Sequence, residues 1–378
     1  MVNRPDAYEL FGGDTVLMRE AARSLRNLGI DVTEVAGKQT PQFYAQFDLV
    51  HIFNLLTLHF SYSEAVKVKL AGKPLVVSPI YWNFEIEDRL SYNRKWKLAA
   101  RLLGKRLTAK GFTLWKSLKP YYREERKFQQ QILRMADVWL ANSPSEINQL
   151  AAIISPKGKA VVVPNAIDPD LFNPGITHPL PAWAVKARLQ SKSYALTVAR
   201  IEPGKNQLGM LQAARDTGIP FVLVGDETDP AYVRACREHC AVITGKVSDQ
   251  ELLASYAHAR IHVLPSIREC PGLASLEAAA MGCGVVSTNI GSAQEYFGDL
   301  AHYCHPFDLT GIKNAVMAAW SQPVPPGLSE KIRMGFTWGA NAKITLESYR
   351  KVTAKTEISA RAVVRELRKT GSGSIRQD

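Results

Sequence analysis

The sequence predicts an α/β protein of two doubly wound, Rossmann-like domains. Three observations carry that prediction. Short apolar runs recur along the chain, each bounded by turn residues and followed by a stretch of helical spacing, the way buried parallel strands alternate with helices. The rhythm halts near residue 173 and restarts at residue 194. The 378 residues suffice for two to three domains, and an apolar and aromatic content of 46% can fill their cores. On this reading residues 1–173 form the first domain, 174–352 the second, and 353–378 a terminal helix with a disordered tail.

In the first half, residues 8–15 read as a strand-to-helix loop with Gly12 and Gly13 at its turn, although paired glycines are also plain turn residues. A helix is expected from about Thr15 to Leu28, with Val16, Leu17, Ala21, Ala22 and Leu25 apolar and Gly29 closing it. Residues 30–35 read as a strand. Upstream of the loop a doubly wound domain needs a buried strand of about four to six apolar residues, and only Met1 and Val2 are present. The first strand is therefore expected to be stunted, or the start codon to lie upstream, which an intact mass decides. Residues 47–53 and 74–80 read as buried strands, and His51, at a strand end, as structural. Residues 86–134 form a long, basic, aromatic-rich helical stretch. A strand ending in a helix cap follows over 136–146, then a strand at 160–163 that leads out of the domain.

The second half repeats the pattern. Residues 194–200 are a strand, and Arg200 to Lys205 turn into a helix. Strands follow at 221–226 and 242–248, the second with Gly245 and Val247 at its turn, and Asp249 opens a helix. Residues 261–264 are a buried strand, 265–272 a loop, and a helix opens near Gly272. Seven residues separate Glu269, on the loop, from Glu277, placed about two turns into that helix. The unpaired N–H groups at a helix start favour an anion. Two acids beside such a start suit a ligand carrying both hydroxyls and phosphate, and a nucleotide sugar is such a ligand. Residues 284–288 are a further strand.

Glu269-x-Pro271-Gly272-Leu273, then Glu277-Ala278, Gly282 and Val285-Val286, resemble the signature of the retaining family 4 glycosyltransferases (glycosyltransferases group 1). The resemblance extends from about Phe11 to Lys351 and is densest from Ala195 to Val286. It implies the GT-B architecture, two Rossmann-like domains facing a central cleft, with acceptor binding in the first and nucleotide-sugar binding in the second. It implies that Arg200 and Lys205 clamp the donor diphosphate, where two cations offset the charge that grows on a leaving group. Glu269 would meet the donor-sugar hydroxyls and Glu277 the ribose. Gly272 and Leu273 would supply backbone to the phosphates, Gly245 and Val247 backbone to the base, and Gly12 and Gly13 close approach to donor phosphate or acceptor. Gly291 to Tyr296, with three residues between Gly291 and Glu295, resembles a Gly-x-x-Glu turn of the family with Glu295 as the acid, which reads equally well as a helix cap or surface acid. Transfer would proceed by front-face attack without a protein nucleophile and without a metal or cofactor. Two features depart from the family. Ser78-Pro79-Ile80-Tyr81 stands where a histidine often follows the second long strand, and Ala166 replaces a glycine after Val163-Pro164-Asn165. Asp168-Pro169-Asp170 imitates the Asp-x-Asp metal motif of a different glycosyltransferase fold, but its surroundings make it a linker. A nucleotide-sugar epimerase or inverting transferase on this fold, and a nonenzymatic sugar-binding protein, remain open.

Residues 89–127 hold thirteen Lys/Arg against two acids, so nearly all of the net charge of +12 belongs to one local surface. On a helical projection Trp96, Ala99, Ala100, Leu103 and Leu107 share one face, and Arg94, Lys97, Arg101 and Lys105 the other. Basic residues with interleaved aromatics suit an anionic membrane surface. That fits a lipid-linked or surface-glycan acceptor, a solvated basic helix being the plainer reading. No nucleic-acid recognition motif accompanies the charge, so a nucleic-acid partner is not expected. Five cysteines without CxxC spacing read as reduced, and with no long apolar run the expected location is cytoplasmic, or peripheral on the inner face of the membrane.

Overall fold

A computed structural model describes residues 1–9, 12–82, 120–154, 159–239, 242–267, 269 and 271–370, with isolated positions between 98 and 111. Most of the basic segment 86–134 lies outside the described residues, apart from the helix Pro120–Met135. The chain divides into two compact units, Met1–Tyr81 with Arg123–Val163 and Gly339–Asp378, and Trp82–Tyr122 with Pro164–Trp338.

The first unit carries β1 (Val2–Asn3), β2 (Val35–Ala36), β3 (Val50–Phe53), β4 (Leu75–Ser78), β5 (Val138–Ala141) and β6 (Ala160–Val162). They form one parallel sheet in the order β2-β1-β3-β4-β5-β6. β3, β4 and β5 are buried throughout, as strands covered on both faces must be, which is why they read as largely apolar runs, with His51 in β3 and Ser78 at the end of β4. Alternate residues serve opposite cores. Leu75, Val77 and Trp139 face one, while Val76, Val138 and Leu140 face the other. Trp139 is 1% exposed and its Nε1–H donates to Leu133 O at 2.9 Å. Burying that ring stabilises the unit by about 2–3 kcal/mol.

Expected and observed elements differ in three places. The strand read over 30–35 shrinks to β2, because its partner β1 offers only Val2 and Asn3 for pairing. The first helix runs Gly13–Arg26, two residues earlier than expected, and Gly29 at φ 81° ends it. The helix Trp338–Thr370 sets Ala342, Tyr349 and Val352 into the core of the first unit, and Pro164 already belongs to the second. The division therefore differs from a single cut near residue 173. An amphipathic helix shows its apolar stripe in the sequence but not which sheet it covers. His51 is structural: its Nδ1 lies 2.6 Å from Tyr349 Oη, its Nε2 lies 2.9 Å from Ser78 Oγ, and burial holds the ring far below the usual histidine range.

The second unit carries β7 (Ala195–Val198), β8 (Phe221–Val224), β9 (Val242–Ile243), β10 (Ile261–Leu264), β11 (Gly284–Thr288) and β12 (His302–Cys304). They form a second parallel sheet in the order β12-β11-β10-β7-β8-β9. The same alternation splits Leu196, Val222 and Val285 from Ala195, Leu223 and Val263. Ser248 and Glu251 form a capping box that starts the helix Asp249–His258.

Candidate functional site

In a doubly wound sheet a ligand binds outside the carboxyl ends of the strands where strand order reverses. In the second unit that point lies between β7 and β10. Their ladder covers only Ile261↔Ala195 and His262↔Leu196, and beyond it side chains bridge the two strands. Val198 N–H donates to His262 Nε2 at 3.3 Å, and Thr197 Oγ1 donates to Val263 O at 2.7 Å. Burial pushes the His262 ring down to about 3, so it is neutral, with the Nδ1 proton facing Ser275 Oγ at 3.4 Å.

The loops leaving these two strands carry the residues singled out in the sequence. After β7, Pro203–Lys205 is a 3-10 turn and Asn206 follows at φ 56°. The Asn206 amide donates to Pro306 O at 2.6 Å and Pro265 O at 3.3 Å, and Ile267 N–H donates to Gly204 O at 3.0 Å. These bonds tie the loops after β7, β10 and β12 together. They set Lys205 Nζ 2.9 Å from Glu269 Oε2, with the Glu269 side chain 7% exposed. Arg200, on the same loop, is half-exposed and pairs with Glu202 at 3.1 Å.

Two glycines hold Glu269 in place. A Cβ on Gly272 would stand 2.9 Å from Glu269 Oε1, and a Cβ on Gly291, at φ 115°, would overlap the Glu269 carbonyl oxygen. Gly272 caps the helix Leu273–Ala280, whose first internal bonds run from Ser275 N and Leu276 N to Gly272 O. The N–H groups of Leu273 and Ala274 precede those bonds and point outward from the helix start. Glu277 is about one turn into the helix rather than two, because it stands only four positions after the first helical residue, Leu273. Its Oε2 accepts the Tyr256 hydroxyl at 2.7 Å. Desolvation, with the Asp249 charge adding and the Tyr256 bond opposing, pushes the Glu277 carboxyl up to about 7.

The turn after β9 is tied to this region. Gly245, at φ 71°, accepts Gly225 N–H at 3.0 Å, and a Cβ on Gly225 would overlap Ala199 O. Val247 packs on the core beside it. Glu295 is exposed on the helix Ala293–Phe297. Gly12 and Gly13 belong to the first unit. Gly12 is extended at φ −139°, and a Cβ on Gly13 would meet nothing within 4 Å. Gly13→Ala is therefore expected to stabilise the protein by about 0.4–1 kcal/mol. A denaturant midpoint lower than wild type would contradict this.

The first sheet reverses its order at β1, and the loops there hold a network absent from the sequence-based expectations. Asp14 is 2.9 Å from Arg4 Nε and 3.2 Å from Asn54 Nδ2. Desolvation would raise its carboxyl, but the Arg4 hydrogen bond and charge, with Asn54, hold it below the usual range. A polar residue after a stunted strand carries little signal. Tyr256 and Asn206 were missed for a like reason, since their partners lie far along the chain. Asp168 Oδ1 accepts the N–H groups of Asp170 and Leu171 at 3.1 and 3.3 Å, which closes a turn. Among the described residues no group of three or more His, Cys, Asp or Glu is placed to hold a metal ion. Cys236, Cys283 and Cys304 are buried and form no disulfide, while Cys240 and Cys270 lie outside the described residues.

Two doubly wound units, each with polar groups gathered at its point of strand reversal, define a GT-B protein. Family models agree: residues 11–171 match Glycosyltransferase Family 4, and residues 183–323 match Glycosyl transferases group 1. The chain belongs to the family 4 glycosyltransferases. It is 34% identical over 144 residues to O-antigen chain mannosyltransferase B of Escherichia coli, covering 35% of this chain and 38% of that protein. It is 26% identical over 238 residues to glycogen synthase of Mycobacterium tuberculosis, covering 58% of this chain and 55% of that one. The matched stretches thus span well under two thirds of these relatives. Among solved structures, sucrose-phosphate synthase from Thermosynechococcus elongatus superposes with a TM-score of 0.69 at 16% identity, over 91% of this chain and 94% of that one. HepE of Anabaena, solved with UDP and glucose, superposes with a TM-score of 0.62 at 14% identity, over 97% and 99%. At these identities the likeness is one of fold.

Proposed function

We propose that this protein is a retaining, metal-independent glycosyltransferase that moves a sugar from a nucleotide-sugar donor to a glycan or lipid-linked acceptor. The observation that carries this reading is the part-buried Lys205–Glu269 pair beside the start of the helix Leu273–Ala280, at the strand reversal of the second sheet. Without ligand the two side chains satisfy each other. With donor bound, Lys205 and Arg200 face the diphosphate together with the N–H groups of Leu273 and Ala274, and Glu269 accepts hydrogen bonds from the sugar hydroxyls. Glu277 takes the ribose hydroxyls, the Gly245 and Val247 backbone takes the base, and the first unit, with Gly12 and Gly13, takes the acceptor. The bond from the anomeric carbon to the diphosphate breaks as the acceptor oxygen attacks the same face, and the departing phosphate oxygen takes the acceptor proton. Binding of UDP and glucose by the Anabaena structure supports a nucleotide-sugar donor. Thermal shifts with UDP, GDP and ADP test the reading: one of them should raise the melting temperature, and no response to any favours a nonenzymatic scaffold. Anomeric analysis of the product separates retention from inversion.

The basic stretch 89–127 supports peripheral docking on an anionic membrane, each cation contributing about 1 kcal/mol near it. No helix among the described residues is long and apolar enough to cross a membrane. Anionic vesicles should carry the protein upward on flotation at low salt and release it at high salt. Absence of binding at low salt favours a water-soluble acceptor.

A further inference from the structure

We propose that Tyr256 is the positioning residue of the Glu277 carboxylate, holding it in the one orientation that receives the donor ribose. This rests on the assignment of Glu277 to the ribose. Tyr256 is 0% exposed on the helix Asp249–His258, and its ring packs against Phe172 and His262, each centroid 6.2 Å away. Its backbone is held as well, since its carbonyl accepts Cys283 Sγ at 3.1 Å and Ala259 N–H at 3.2 Å. A ring fixed at both ends has one direction for its hydroxyl, and that direction ends on Glu277 Oε2 at 2.7 Å.

The chemistry follows from that geometry. A glutamate side chain on its own samples several rotamers, and ordering it on ligand binding costs free energy. The Tyr256 bond removes that cost before the ligand arrives. It takes one lone pair of Oε2 and leaves Oε1, with the remaining lone pair of Oε2, for two vicinal hydroxyls. Above about pH 7, where the Glu277 carboxyl is ionised, a hydrogen bond to its charged oxygen is short and strong, which suits a fixed support. Tyr256 touches no substrate itself, so its contribution belongs in donor affinity rather than in the chemical step.

Tyr256→Phe keeps the ring packing and deletes only the hydroxyl. The test is calorimetric titration with whichever of UDP, GDP and ADP binds tightest, alongside its 2′,3′-dideoxy counterpart. The variant should bind the ribonucleotide about tenfold more weakly than wild type and the dideoxy form equally well. In kinetics the donor KM should rise about tenfold with kcat within about twofold. Unchanged ribonucleotide affinity overturns the proposal, and so does an equal loss for both nucleotides, which marks general damage to the packing. Glu277→Gln separates this from the assignment beneath it. If Glu277→Gln weakens only the ribonucleotide while Tyr256→Phe does nothing, the ribose assignment stands and Tyr256 falls. If Glu277→Gln spares the ribonucleotide, or no nucleotide binds, the ribose assignment falls and takes the proposal with it.

Discussion

Lys205→Ala is expected to lower kcat/KM by about 10²–10³-fold, the loss seen when a preorganised donor to developing charge is removed. Two effects combine. On the proposed reading the diphosphate loses a cation that sits, fixed by the Asn206 amide bonds, on the loop after β7. Glu269, 7% exposed, loses its partner at 2.9 Å and no longer has a reason to lie where the sugar hydroxyls need it. Lys205→Arg keeps the charge but brings a planar fork to a site shaped for a compact ammonium, so it should recover only part of the rate. Steady-state kinetics over donor concentration distinguish the outcomes. A kcat/KM within a factor of about three of wild type for the alanine variant would remove Lys205 from the machinery.

Gly291→Ala should cost about 3 kcal/mol of stability and most of the activity together. At φ 115° an L side chain is strained, and the added Cβ overlaps the carbonyl oxygen of Glu269. Relief requires the loop after β10 to move, and displacement of a reacting group by about 1 Å can cost about 10²-fold in rate. Denaturant unfolding and kcat measured on the same preparation check both halves. A variant with wild-type midpoint and rate would show that the close approach of these two loops is dispensable. Gly13→Ala is the control for the stability half alone, because there the helix start has room for a methyl group.

The parts of the fold legible in the sequence are those set by local pattern. β3, β4, β5, β10 and β11 announce themselves because strands buried on both faces are apolar at most positions and show no regular polar alternation. Lys205, Glu269 and Glu277 stand out because each falls just after a strand or in the first turns of a helix. What links them is not local. Lys205 and Glu269 are 64 positions apart, and Tyr256 and Glu277 are 21 apart. Nothing in either neighbourhood states that the side chains meet. β2 fails in the opposite way: its apolar run is real, but a two-residue partner strand limits how much of it can pair. The destination of the helix Trp338–Thr370 depends on which core lacks a cover, and that is a property of the assembled sheet.

That helix has a consequence for the order of events on the ribosome. Leu25, Val76, Val138 and Leu140 emerge before the second sheet, yet Ala342, Tyr349 and Val352, which cover them, are translated after it. Between Val163 and Gly339 the whole stretch Pro164–Trp338 is made. At about 5–20 residues per second the wait lasts roughly ten to thirty-five seconds. The second sheet can therefore close while one face of the first still lies bare to solvent and to chaperones. The half of the protein that is begun first is the half that is finished last.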